Sequence, residues 1–75
     1  MVPEQDKKVY VDLGQKVKAL REKKGLSLRQ LAAICDTEHN KIHGIEAGTL
    51  NFRFSTIIKI AKGLDVSLNE LIKPQ

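Results

Sequence analysis

The sequence predicts an all-α fold, a five-helix compact domain, and three observations carry that prediction. Apolar residues recur three and four apart along most of the chain, the spacing that gives a helix one buried face. Two capping boxes, Ser27 with Gln30 and Ser67 with Glu70, mark helix starts, because each side chain of such a pair satisfies an amide left unpaired in the first turn. No stretch alternates apolar and polar residues long enough to make a strand, and aromatic residues are only 4% of the chain, with no Trp. With 75 residues, 41% of them hydrophobic, there is material for one domain around one modest core. Such a core is stable only by a narrow margin, so a partner subunit would add to it.

Residues 1–5, polar and carrying Pro3, are expected to form a flexible N-terminal tail, with the domain over 6–73 and a C-terminal tail at 74–75. Asp6 is expected to cap the first helix, which runs from about Lys7 to Lys24 and ends at Gly25. Its inner stripe is Val9, Leu13, Val17 and Leu20, with Tyr10 at the edge and Arg21 on the rim, where a carboxylate from another helix can reach it. The second helix opens at Leu28 behind Ser27 and turns Leu28, Leu31, Ala32 and Cys35 inward. Asp36, a residue that tolerates left-handed backbone angles, then turns the chain. The third helix covers about 38–47, faces Ile42 and Ile45 inward, and is capped by Gly48.

The connection after it contains Leu50 and Phe52, too apolar for an idle loop. Phe52 is expected to fold back onto the core, and Leu50 either faces a partner or is half exposed. Phe54, Ile57, Ile58, Ala61 and Leu64 are expected to line the fourth helix, with Ile60 widening that face and Gly63 or Asp65 ending it. A short fifth helix starts behind Ser67, turns Leu68, Leu71 and Ile72 inward, and stops at Pro74.

Composition narrows the function. A net charge of +4 and a pI near 9.4 favour polyanionic partners. A single cysteine, Cys35, rules out a disulfide framework and a multi-Cys zinc site. On the apolar side of its helix it reads as a buried structural thiol. No apolar run approaches membrane-spanning length, and the N-terminus lacks the apolar core of a signal peptide, so the expected location is cytoplasmic. An enzyme is not expected. Glu38, His39 and His43 make the one cluster of catalytic residue types, and they share an exposed helix with no pocket to shift their proton affinities. His39 and His43, one turn apart, supply two ligands where a stable metal site needs more. Neither metal nor cofactor is therefore expected.

The third helix carries the strongest signal. At about 100° per residue, Ile42 and Ile45 point one way while His39, Asn40, His43, Gly44 and Ala47 gather opposite. A solvated face of a basic protein more often carries long Lys and Glu side chains four apart. Asn and His instead present short, directional donors and acceptors that suit base edges in a major groove. An ordinary polar face is the competing reading, and this helix by itself does not separate the two.

The pattern from Leu13 to Leu71 resembles the Cro and phage-repressor (XRE) type of helix-turn-helix DNA-binding domain. The resemblance is carried by Leu13-Gly14 and Leu20-Arg21, Lys24-Gly25-Leu26-Ser27, Leu31-Ala32, Ile42, Ile45-Glu46, Gly48 and Asn51. It continues through Ile60-Ala61-Lys62, Leu64, Val66-Ser67-Leu68 and Glu70-Leu71. It implies a lambda-repressor-like arrangement with the third helix as recognition helix, and double-stranded DNA as partner. On the matching positions, base contacts fall to His39, Asn40, His43 and Gly44. Backbone contacts fall to Lys41 and, after the helix, to Thr49, Asn51 and Arg53. Phosphate contacts set register and salt-dependent affinity, while base contacts select sequence. The resemblance also pairs Arg21 with Glu46 as a structural ion pair between the first and third helices.

Four residues depart from the family pattern. Leu28 stands where a Gln usually contacts phosphate, a role that Arg29 is expected to take over. Asp36 replaces the usual turn Gly, and Gly44 replaces a longer polar residue. Glu38 replaces a capping Ser or Thr and sets a negative charge near the groove, where the helix dipole favours it. One recognition helix reads few base pairs, so a homodimer spanning half-sites about 34 Å apart is expected. The competing function is a protein-interaction module, an antitoxin or adaptor on the same fold. Leu28 and Leu50 would then form its exposed apolar patch.

Overall fold

The first helix starts earlier than its expected cap. In the computed structural model, which describes residues 4–49 and 52–73, α1 spans Glu4–Lys23 and Asp6 lies inside it. The helix thus enters the segment expected to be a tail, because Glu, Gln and Lys are good helix formers and acidic residues suit the positive end of the dipole. Four more helices follow: α2 (Leu28–Ile34), α3 (His39–Ala47), α4 (Phe54–Gly63) and α5 (Leu68–Ile72). No strand occurs among the described residues. The pattern-based reading of five helices in this order therefore holds, and the third helix lies where its apolar spacing put it.

Both Ser-led starts are capped by side chain. Ser27 Oγ accepts from the Gln30 amide at 3.0 Å while Gln30 Oε1 accepts from the Ser27 amide at 2.8 Å. Ser67 Oγ accepts from the Glu70 amide at 3.0 Å, but the return bond from the Ser67 amide to the Glu70 carboxylate is absent, so the second expected capping box is only half formed. The ends of α1 to α4 close alike. In each, a left-handed residue lets two amides turn back onto the last carbonyls: Gly25, Asp36, Gly48 and Asp65, with φ between 55° and 73°. Leu26 and Val66, the residues after two of these turns, pack onto the core. The connections therefore hold the helices in place.

One core joins all five helices: Leu13 and Val17 from α1, Leu31, Ala32 and Cys35 at α2, Ile42 and Ile45 from α3, Ile57, Ile60 and Ala61 from α4 with Leu64 behind it, and Leu71 from α5. α1 packs on α3 and α5, α2 on α3 and α4, and α4 on α5. α1 and α3 meet at Gly14. A Cβ built there would fall onto the Ile45 carbonyl oxygen and lie 2.7 Å from that of Glu46. The two backbones touch because position 14 has no side chain.

Several residues expected inside are not. Val9 is 65% exposed and Ile72 53%. Both line a shallow cleft between α1 and α5, where α1 runs on past the core and α5 has only five residues. Phe54, 63% exposed, sits on the first turn of α4, before that helix reaches the core. The buried stripe of α4 starts at Ile57 and continues through Ile60 and Ala61, leaving Ile58 half-buried. Phe52 does fold back: it is half-buried and meets Tyr10 edge to face at 5.3 Å, which ties the α3–α4 connection to α1. Leu50 and Pro74 lie outside the described residues.

Candidate nucleic-acid interface

What positions α3 is its buried side. Ile42 and Ile45 are 0% and 1% exposed, and burying side chains of that size is worth about 1.5–3 kcal/mol each. The rotation of the helix about its axis is therefore settled by two residues on one face. Glu46, beside that face, fixes its far end. Arg21 donates from Nε to Glu46 Oε2 at 2.7 Å and from Nη2 to Oε1 at 3.2 Å, a two-pronged pair with side chains 11% and 5% exposed. The carboxylate holds the guanidinium above its ordinary pKa, against the opposing effect of burial.

A third bond was not foreseen. Arg21 Nη1 donates to the Leu26 carbonyl at 2.7 Å, and the Leu26 amide donates to the Arg21 carbonyl at 3.0 Å. One side chain thus clamps α3, α1 and the approach to α2. Gly25 ahead of Leu26 was the available sign that the chain doubles back there.

With Ile42 and Ile45 inward, helical geometry carries Asn40 and His43 to the outer face, and both are exposed. Lys41 is exposed as well, while His39 and Gly44 are half-buried. Arg29 on α2 and Asn40 line one open cleft with Ala33, Thr37, Glu38 and His39. The turn at Asp36, φ 55°, sets that junction. Thr49 is exposed, but its amide and hydroxyl both turn back to the Gly44 carbonyl, at 3.1 and 3.5 Å. Its side chain is therefore already engaged in closing α3. Arg53 is exposed at the start of α4 and makes no side-chain cap. Asn51 lies outside the described residues.

Two sequence readings change here. Leu28 is half-buried against the core, one turn ahead of the buried Leu31 and Ala32. It therefore forms no exposed patch. Glu38, read as a dipole-favoured charge, precedes α3 without capping it by side chain and stands on the same cleft as Asn40. Its departure from the usual capping Ser or Thr was the signal.

Cys35 is buried, donates weakly to the Lys59 carbonyl at 3.6 Å, and burial pushes its thiol up. That leaves little thiolate for nucleophilic or redox chemistry. No group of three His, Cys, Asp or Glu able to hold a metal occurs among the described residues. No described helix is long and apolar enough to cross a membrane.

Against known proteins, residues 12–71 match the family profile of a helix-turn-helix domain. An uncharacterised HTH-type transcriptional regulator of Rickettsia prowazekii is 34% identical over 70 residues, covering 84% of this chain and 54% of that protein. The chain therefore spans about half the length of that relative. The restriction-modification controller protein C.AhdI of Aeromonas hydrophila superposes with a TM-score of 0.81 at 35% identity, over 83% of this chain and 94% of that one. A hypothetical transcription factor from Neisseria superposes with a TM-score of 0.85 at 28% identity, over 99% of this chain and 83% of that one. The matched profile runs through every helix and includes the clamped α3, so this chain belongs to the helix-turn-helix domain family.

Proposed function

We propose that this protein is a sequence-specific regulator of transcription that binds double-stranded DNA in the cytoplasm as a homodimer and lays α3 in the major groove. One observation carries the reading. The two large apolar residues of α3 are fully buried, leaving outward a face of Asn40, His43 and Gly44, with the exposed cations Arg29, Lys41 and Arg53 available around it. In this reading Asn40 pairs with adenine N6 and N7, and His39, His43 and Gly44 meet neighbouring base edges. Arg29, Lys41, Thr49, Asn51 and Arg53 hold phosphates. The relatives named as transcriptional regulators support it, and Leu28 resting on the core removes half of the patch that a protein-docking module would have used.

Gel shifts against a pool of random duplexes at two salt concentrations test this, with selection of a consensus at moderate salt as the expected result. Asn40→Ala is expected to relax selection at one position and cost about 1–3 kcal/mol there. Lys41→Ala is expected to weaken all duplexes alike and reduce the log–log salt slope by about 0.9. Binding without any consensus, or none at all, would overturn the reading. A single half-site footprint from a monomer would overturn the homodimer.

Proton linkage is a second consequence. Phosphates on both sides of the groove favour imidazolium over imidazole, and histidine changes charge between about pH 5 and 8. A complex that prefers the protonated form takes up protons as it forms, so affinity is greater at low pH and declines as pH rises. Binding is expected to be tighter near pH 6 than near pH 8, and the His39→Gln, His43→Gln double variant to lose that slope. Equal slopes in the two proteins would place the histidines away from DNA.

A further inference from the structure

We propose that Glu38 is a specificity residue that selects cytosine, an assignment that rests on the reading of α3 as the groove-borne helix. Of the three helices that begin behind a loop residue able to cap, α2 and α5 are capped by the hydroxyls of Ser27 and Ser67, whereas Glu38 makes no side-chain cap to α3. The carboxylate is exposed and takes part in no hydrogen bond or ion pair among the described residues. It stands on the cleft shared by Arg29, Thr37 and Asn40, with His39 next in sequence.

At that place an anion is costly on nonspecific DNA, because phosphate charge repels it and a carboxylate pressed against acceptor atoms goes unpaired. The major-groove edges differ in how they meet it. Guanine offers N7 and O6 and thymine offers O4, all acceptors. Adenine offers its N6 amino group beside the acceptor N7. Cytosine offers the N4 amino group and no acceptor of its own. A carboxylate, which only accepts, is therefore best satisfied by cytosine. The same charge then has two effects: it rewards one base and weakens binding wherever that base is missing. Arg29, which lines the same cleft, supplies the compensating charge for the nearest phosphate.

The test is selection from random duplexes by the full chain and by Glu38→Gln, with Glu38→Ser as a second variant that restores the capping hydroxyl and protects folding. Wild type is expected to select cytosine at one position in each half-site, by roughly five- to hundredfold over other bases. Glu38→Gln should shift that position to adenine, which a glutamine amide pairs through N6 and N7. Glu38→Ser should lose the preference there and keep those at the Asn40 positions. Both variants should bind nonspecific duplex more tightly, with a log–log salt slope steeper by up to about 0.9. A consensus unchanged by either substitution overturns the role of Glu38 while leaving the regulator reading intact. No consensus from the wild type overturns both.

Discussion

Gly14→Ala is expected to destabilise the protein by about 3 kcal/mol or more, the upper range of overpacking costs, because the collision is with backbone. Intrinsic helix propensity predicts the opposite sign, since alanine in a helix is worth roughly 1 kcal/mol over glycine. The tertiary contact decides the outcome. The added methyl would fall onto the Ile45 carbonyl oxygen and lie 2.7 Å from the Glu46 oxygen and 2.9 Å from the Glu46 carbonyl carbon. A flexible side chain could swing away, but carbonyls inside a helix cannot move without moving α3. A domain of this length has roughly 4–11 kcal/mol of total stability, at about 0.05–0.15 kcal/mol per residue, so the loss is a large part of the whole. The melting temperature should fall by more than about 12 °C at roughly 4–8 °C per kcal/mol. Gln15→Ala, at an exposed neighbouring position of α1, should change little. A Gly14→Ala protein that melts at or above wild type would mean that α1 and α3 do not meet at backbone distance.

Arg21→Ala is expected to cost about 3–5 kcal/mol, because it leaves the Glu46 carboxylate buried without its partner. The Leu26 carbonyl loses its guanidinium donor as well. Replacing both charges, Arg21→Met with Glu46→Leu, should recover most of the loss, since a buried ion pair and a well-packed apolar pair of similar size are often close in free energy. Lys23→Ala, on the exposed end of α1, is the control and should stay within about 0.5 kcal/mol of wild type. Urea midpoints with an unchanged slope give the comparison directly. If Arg21→Ala shifts the midpoint no more than Lys23→Ala does, the clamp contributes nothing to stability. Because Glu46 is on α3, Arg21→Ala should, under the proposed function, also weaken DNA binding beyond the fraction unfolded, which a binding titration at low temperature separates from simple loss of folded protein.

Much of the architecture is legible in the sequence. Ser27 with Gln30, Ser67 with Glu70, Gly25, Asp36 and Gly48 are local devices: their effect is written into the backbone within five residues, so sequence reading places them well. Ile42 and Ile45 likewise determined which side of α3 faces out, because two large aliphatic residues three apart leave a helix little choice of rotation. The outward direction of Asn40 and His43 follows from that choice, whereas the assignment of His39, Asn40, His43 and Gly44 to base contacts comes from the family resemblance.

Other features depended on where neighbouring helices end. Val9, Phe54 and Ile72 have the right spacing for a core, but burial needs a partner surface, and α1, α4 and α5 carry these residues past the edge of it. Leu28, read both on the apolar stripe of α2 and as half of a surface patch, lies against the core. The missing side chain at Gly14, the third bond of Arg21 and the uncapped carboxylate of Glu38 on the Asn40 cleft are contacts between segments far apart in sequence or across a turn. Periodicity reports the direction in which a side chain leaves its own helix. Only the packing of α1, α2 and α3 against one another decides what it meets there, and for this protein that packing sets both the seat of α3 and the chemistry at its leading end.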